Sequence, residues 1–355
     1  MQTISEVTAM QLDLDTFLTT VYCIVDDLYK EHFAPLKPVR RGRKPRLSDS
    51  EVLTLALIAQ WQEGRSESAF LRYAHNHWRS YFPQLLSQSA FNRRARDLAG
   101  VLCRLGVLVA QQAGKLLAHG PAYQALDGVP VPLMRRCRGD RHRLFAEEAA
   151  IGRGGSDGEW YYGVKLLLSV EAAGLITGFV FAPANTAEHW LAEALLCWRC
   201  YPQAAAPKAQ QLEALLGPSH KRGGTRVGPT GPIACPWSAG QPWHGAYVAD
   251  LGFRGKHWTQ HWQSHYGARV LTRADYAHLA CQQRRRWTRW LAGLRQVVET
   301  VNGCLSEVLG LKFPRARSFW SLLTRISAKV AAFNIAVHVN LLCDRPTFSL
   351  FNPLQ

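Results

Sequence analysis

Tyr123-Gln124-Ala125-Leu126-Asp127-Gly128 and Ala246-Tyr247-Val248-Ala249-Asp250-Leu251-Gly252 decide how this chain is read. Each is a short apolar run that ends in an aspartate with a glycine close behind. Such runs predict two strands with a carboxylate at the C-terminal end of each, where α/β sheets usually carry their active sites. A single aspartate there is more often a turn former or a helix cap, so the pair needs a third partner. Glu299 is the candidate: it interrupts an apolar-periodic helix containing Leu294, Val297, Val298, Val301 and Leu305, with Arg295 one turn earlier on its face. The plainer reading of those two residues is an i,i+4 pair worth about a few tenths of a kcal/mol.

Between the two aspartates, Trp160 to Val170 predicts a longer strand. A turn at Glu171 to Gly174 and a strand from Leu175 to Ala182 complete a hairpin, and residues 186–199 return to helix. The stretch 202–245 holds seven prolines, many glycines and one helix candidate near Leu212 to Leu216, so it reads as an insertion. Helices fill most of the chain from Trp287 to Leu342.

Upstream, the first 115 residues read as all-α. Residues 11–33 carry a helical pattern that breaks at Pro35 and Pro38, and Arg40-Arg41-Gly42-Arg43-Lys44-Pro45-Arg46 follows with five positive charges. A flexible basic arm of this kind suits phosphates or a minor groove, with a solvated linker as the plain alternative. Ser48-Asp49-Ser50-Glu51 is a capping box opening a helix through Ala59. Further helices are predicted over Glu67 to His77, after Ser87 or Ser89 with Arg93, Arg94 and Arg96 on a basic face, and over residues 101–117. Residues 48–98 thus have the outline of a helix-turn-helix reader, a pattern that other helical proteins share.

The 355 residues suffice for two domains at about 150 residues each. Lys and Arg outnumber Asp and Glu by 42 to 26, a net charge of +16 that favours a polyanionic partner, nucleic acid first. An anionic membrane is the rival, yet no apolar run approaches the roughly 18 to 20 residues of a spanning helix. No secretory signal is evident, and nine scattered cysteines suit a reducing, cytoplasmic compartment. Cys197 and Cys200 have C-x-x-C spacing but fall in an apolar helical stretch without a second pair, so they read as core residues.

Three carboxylates from two strands and a helix can hold two Mg²⁺ or Mn²⁺ ions about 3.5 to 4 Å apart, as phosphoryl transfer requires. At this point the sequence resembles the DDE transposases of bacterial insertion sequences, over nearly its whole length. The likeness is carried by the run from Gly42 to Leu57, Ser89-Ala90-Phe91-Asn92-Arg93-Arg94, Asp127 to Pro132, Tyr162-Gly163-Val164-Lys165-Leu166, Pro183-Ala184-Asn185-Thr186, Ala249 to Phe253, and Arg295 to Val301. It implies an RNase H-like α/β catalytic domain over residues 116–345, preceded by an all-α DNA-binding domain over 1–115. It also implies a metal-binding triad of Asp127, Asp250 and Glu299, with Lys165 near DNA phosphate or the active site. Arg295 matches the Arg-x-x-x-Glu part of the family signature, while Ala292 and Ser306 stand where a Tyr and a Lys belong to it in some branches.

The expected partners are double-stranded DNA, as terminal inverted repeats and as target, and a second copy in the active complex, with a nucleoid-associated location. Two alternatives are a metal-dependent nuclease without strand transfer and an inactive descendant that only binds DNA. The candidate DNA contacts are Arg41, Arg43, Lys44, Arg46, Arg93, Arg94, Arg135, Arg136, Lys165 and Arg295, with Arg135 to Arg143 read as a loop beside the site. Arg284-Arg285-Arg286 before Trp287 and Trp290 can grip backbone while an indole stacks on a base, although helix packing is the commoner role of such tryptophans. His189 is a candidate to line the site or to cap, and His257, His261 and His265 read as a solvent-facing stripe, with zinc the remote alternative.

Overall fold

The computed structural model describes residues 13–36, 42, 45–62, 66–118, 120–139, 145, 148–154, 158–202 and 236–349. Its first five helices are α1 (Leu14–His32), α2 (Asp49–Ile58), α3 (Glu67–His77), α4 (Gln88–Asp97) and α5 (Ala99–Gly114). Their starts follow from side-chain caps: Asp13, Ser48, Ser66 and Ser87 each accept from a backbone N–H of the first turn. The capping box is present in full, with Ser48 N donating to Glu51 Oε2 at 2.6 Å and Glu51 N to Ser48 Oγ at 3.1 Å. An N-cap of this kind stabilises a helix by about 1 kcal/mol.

The sheet comprises β1 (Gln124–Arg135), β2 (Ala150–Gly154), β3 (Glu159–Glu171), β4 (Ile176–Pro183), β5 (Ala246–Ala249) and β6 (Arg269–Leu271). Strand β3 runs antiparallel to β1 along one edge, and to β2 and then β4 along the other. On the far side β5 is parallel to β1, and β6 parallel to β5. The molecule is therefore a mixed α/β protein with a helical N-terminal region and a mixed sheet.

Period-two alternation sends neighbouring side chains of the sheet to opposite faces. Val164, Leu166, Leu168 and Val170 of β3 join a core with α1 to α5 and the C-terminal helices α9 (Cys281–Glu307) and α10 (Phe319–Leu342). Leu167, Val180 and Leu126 face a second core built by α7 (Glu188–Cys200) and α8 (Lys256–Tyr266). Each fully buried leucine is worth about 1.5 to 3 kcal/mol, and truncating one to alanine costs about 2 to 5 kcal/mol. Asn334 of α10, fully buried, ties three elements together: its Nδ2 donates to Gly106 O of α5 at 2.8 Å and to Ile176 O of β4 at 2.9 Å, while its Oδ1 accepts from Ile176 N at 2.9 Å.

Several sequence expectations are corrected. Strand β1 does not end at Asp127 but continues to Arg135, because beyond Leu126 it pairs with β3 alone and the edge left free by β5 tolerates Pro130 and Pro132. Arg135 closes that strand and Arg136–Gly139 forms a one-turn helix, α6, rather than the loop expected there. Strands β2 and β6 were not foreseen; at five and three residues they are too short to show a period. Helix α10 is long and apolar enough to span a membrane by length and composition, against the expectation of no such run, but it is almost wholly buried within the fold. The helix expected near Leu212 to Leu216 lies outside the described residues.

Candidate functional site

The register of two parallel strands brings the aspartates together. Gln124, Ala125 and Leu126 of β1 pair with Tyr247, Val248 and Ala249 of β5, so the next residues in each chain direction are Asp127 and Asp250. Buried Arg199 of α7 pins that register, donating from Nη1 to Gln124 Oε1 at 2.7 Å and to Tyr247 Oη at 2.9 Å. Helix α9 packs across β1, held there in part by Tyr123 Oη donating to Leu294 O at 3.1 Å. That docking presents Arg295, Glu299 and Asn302 to the aspartates.

Arg295 is the centre of the arrangement. Its Nη2 lies 3.3 Å from Asp127 Oδ1 and 3.7 Å from Glu299 Oε1, and its Nη1 lies 3.6 Å from Asp250 Oδ1. Asn302 Nδ2 donates to the other Asp127 oxygen at 2.7 Å. The i,i+4 pair of the plain reading exists, but it is one arm of a guanidinium shared by three acids.

A fourth acid, which sequence reasoning did not single out, completes the site. Glu188, the first residue of α7, sits against both glycines that follow the aspartates: a Cβ on Gly128 would lie 3.0 Å from its Oε1, and one on Gly252 only 1.7 Å from its Oε2. Lys165 Nζ of β3 lies 3.7 Å from Glu188 Oε1 and is mostly buried, so it belongs to the site and is not an ordinary exposed strand lysine. The signal in the sequence was the glycine after each aspartate, which marks a close approach by another group.

Burial is the first cause that pushes the Asp127 carboxyl up to about 6; Arg295 opposes the shift, and Glu188, Glu299 and Asp250 add to it. Four carboxylates thus share Arg295 and Lys165, and the site holds more negative charge than it neutralises. Two further polar atoms are buried there without a hydrogen-bond partner among the described residues, Arg295 Nε and Asn302 Oδ1. Such orphans cost about 1 to 3 kcal/mol each unless something else satisfies them. The donors are the hard oxygens that Mg²⁺ or Mn²⁺ takes. As they stand, no three metal-ligating side chains among the described residues come close enough to hold an ion. Arg295 lies between the acids.

Of the other expected contacts, Arg46, Arg93, Arg135 and Arg136 are exposed, and the Arg136 guanidinium lies over the Trp160 ring at 5.6 Å. Arg94 is partnered within the fold: its Nη2 pairs with Asp49 Oδ1 at 2.5 Å and its guanidinium reaches Leu47 O, which braces α4 against the start of α2. Arg41, Arg43 and Lys44 lie outside the described residues. The His189 ring lies tilted against that of Trp258, with centroids 4.8 Å apart, and burial lowers its pKa. His261 does not face solvent as expected but turns inward to Glu193, 3.2 Å away, while His257 and His265 are exposed. Cys197 is buried on α7, in keeping with a core role. Neither the sequence, compared with protein-family models and curated proteins, nor the fold, compared with solved structures, has a match.

Proposed function

We propose that this chain is the DNA transposase of an insertion sequence, an enzyme of the DDE type that cuts and joins DNA with Asp127, Asp250 and Glu299. The observation that carries this reading is the convergence of those three acids, from two parallel strands and a packed helix, on one guanidinium in a protein of charge +16. An RNase H-like reading of the sheet is supported by its order, three antiparallel strands β4, β3 and β1 continued by parallel β5 and β6.

Asp127, Asp250 and Glu299 would hold two Mg²⁺ or Mn²⁺ ions, which supply an acidified water or 3′-hydroxyl and a stabilised leaving oxygen for in-line displacement at phosphorus. Arg295 is the counter-charge of the resting site. When DNA enters, its guanidinium turns from the carboxylates to a phosphate, a bidentate partner it matches well. Asn302 keeps Asp127 oriented through that exchange. Lys165 offers a second cation to the backbone, held ready by Glu188. Exposed Arg46, Arg93, Arg135 and Arg136 supply further phosphate contacts. The substrates are the element's terminal inverted repeats and a duplex target, and pairing two ends requires at least two copies of the chain.

The test is cleavage of a labelled fragment carrying the ends that flank the gene, with Mg²⁺ or Mn²⁺ and with EDTA. Metal-dependent 3′-hydroxyl ends are expected from the native protein and none from Asp127→Ala, Asp250→Ala or Glu299→Ala. Cutting by the variants sinks the site. Cutting without joining of pre-cleaved ends reduces the enzyme to a nuclease, and binding without cutting leaves a DNA-binding protein.

A further inference from the structure

Helix α9 begins on the surface of the protein. From Cys281 to Trp290 every residue except Thr288 is exposed, including Arg284, Arg285, Arg286 and Arg289. The side chains of these arginines make no ion pair or hydrogen bond with described residues. Trp287 and Trp290 are 40% and 45% exposed, so the packing role usual for tryptophans at this spacing is not theirs. Instead they form a surface aromatic group: Trp287 lies parallel to Tyr276, with ring centroids 4.9 Å apart and planes 5° apart, and edge-on to Trp290 at 5.2 Å.

We propose that this projecting start of α9 is a stacking platform for unpaired bases of a displaced single strand of DNA. The proposal rests on the DNA reading above and adds the form of DNA recognised. Two features select a single strand over duplex. Arginines alone satisfy duplex phosphates, but an exposed indole gains its stacking energy only from a base whose face is free. Trp290 lies nine positions before Glu299. That is about 2.5 helical turns, so the indole lies on the side of the helix opposite the carboxylate, some 13 Å along the axis. A rigid duplex resting on the acids does not wrap round to that side, whereas a flexible strand leaving them does. Three arginines immediately precede Trp287 and a fourth, Arg289, lies between the two tryptophans, so the same stretch can neutralise the strand's phosphates.

The test compares a labelled single-stranded oligonucleotide with the duplex of the same sequence, by fluorescence anisotropy at fixed salt, for the full-length protein. The variants are Trp287→Ala with Trp290→Ala, the same two positions changed to Phe, and Arg285→Gln with Arg289→Gln. The alanine pair should weaken single-strand binding by roughly 30-fold or more and leave duplex binding within about twofold. The phenylalanine pair should restore most of it, and the glutamine pair should flatten its salt dependence. Single-strand affinity that survives the alanine pair overturns the platform, as does native protein that binds duplex but not single strand. If the alanine pair turns a dimer into a monomer with single-strand affinity unchanged, the face meets a second copy and the proposal fails. Native protein that binds neither form sinks the DNA reading itself.

Discussion

Glu193 and Asp127 are both acids withdrawn from solvent near the same sheet, and their surroundings differ in kind. Glu193 stands alone among donors: Trp262 Nε1 gives to one oxygen at 2.8 Å, Tyr266 Oη gives to the other, and His261 Nε2 lies 3.2 Å away. Asp127 stands among other acids, with Glu188, Glu299 and Asp250 raising its proton affinity and one arginine shared between them. The first arrangement fastens α8 to α7. The second holds more acid than its cations neutralise, which is the arrangement that the proposed metal ions would complete.

The largest effect expected on stability follows from the first centre. Glu193→Ala leaves three donors facing a dry pocket, a loss of about 3 to 5 kcal/mol in chemical denaturation. Glu299→Ala, at a half-exposed acid, should change stability by less than about 1 kcal/mol while abolishing cleavage. Equal losses at the two positions would erase the distinction between a fastening acid and a working one.

Asp127 provides the next test, through pH. Its folded-state carboxyl holds its proton up to about 6, against 3.8 for the unfolded chain. The folded state therefore binds more protons in that window, and stability falls as pH rises through it, by about 3 kcal/mol in all. Asp127→Asn removes the charge, so it should stabilise the protein at pH 8 and lose that advantage by pH 4. Glu171, pushed up to about 7 by burial alone, is the control. Millimolar Mg²⁺ at pH 8 should raise the melting temperature of native protein and of Glu171→Gln, and should do so far less for Asp127→Asn. Equal Mg²⁺ responses in all three would place the ion somewhere other than this site.

The strand that carries Asp127 and the one that leads into Asp250, the hairpin between them, the capped N-terminal helices and the helix of Glu299 were legible because each is written in an apolar run, a local period or a cap. Strands β2 and β6 were not, since three to five residues carry no period, nor was the continuation of β1 through Pro130 and Pro132, which depends on which edge is free. In the site, sequence spacing offered the three acids and Arg295, but Glu188 is 61 residues from Asp127 and reaches it only through the fold. The Arg94–Asp49 pair was equally hidden, its members being 45 residues apart.

Glu188 yields the smallest expected effect and the sharpest comparison of two glycines. A Cβ on Gly252 would fall 1.7 Å from Glu188 Oε2, the mobile end of a side chain, while one on Gly303 within α9 meets nothing within 4 Å. Gly303→Ala should stabilise the protein by about 0.5 to 1 kcal/mol, the ordinary gain of alanine over glycine in a helix. Gly252→Ala forces the Glu188 carboxylate aside at a cost of about 1 kcal/mol, and the cost should vanish when Glu188→Ala is added, a coupling that a double-mutant cycle reads directly. With Glu188 displaced, one source of the raised Asp127 affinity for protons is gone, so the loss of stability with rising pH should be smaller, and complete at a lower pH, in Gly252→Ala than in native protein. A cycle without coupling would mean that Glu188 and Gly252 do not meet in solution, and Glu188 would then drop out of the site while Asp127, Asp250 and Glu299 remain in it.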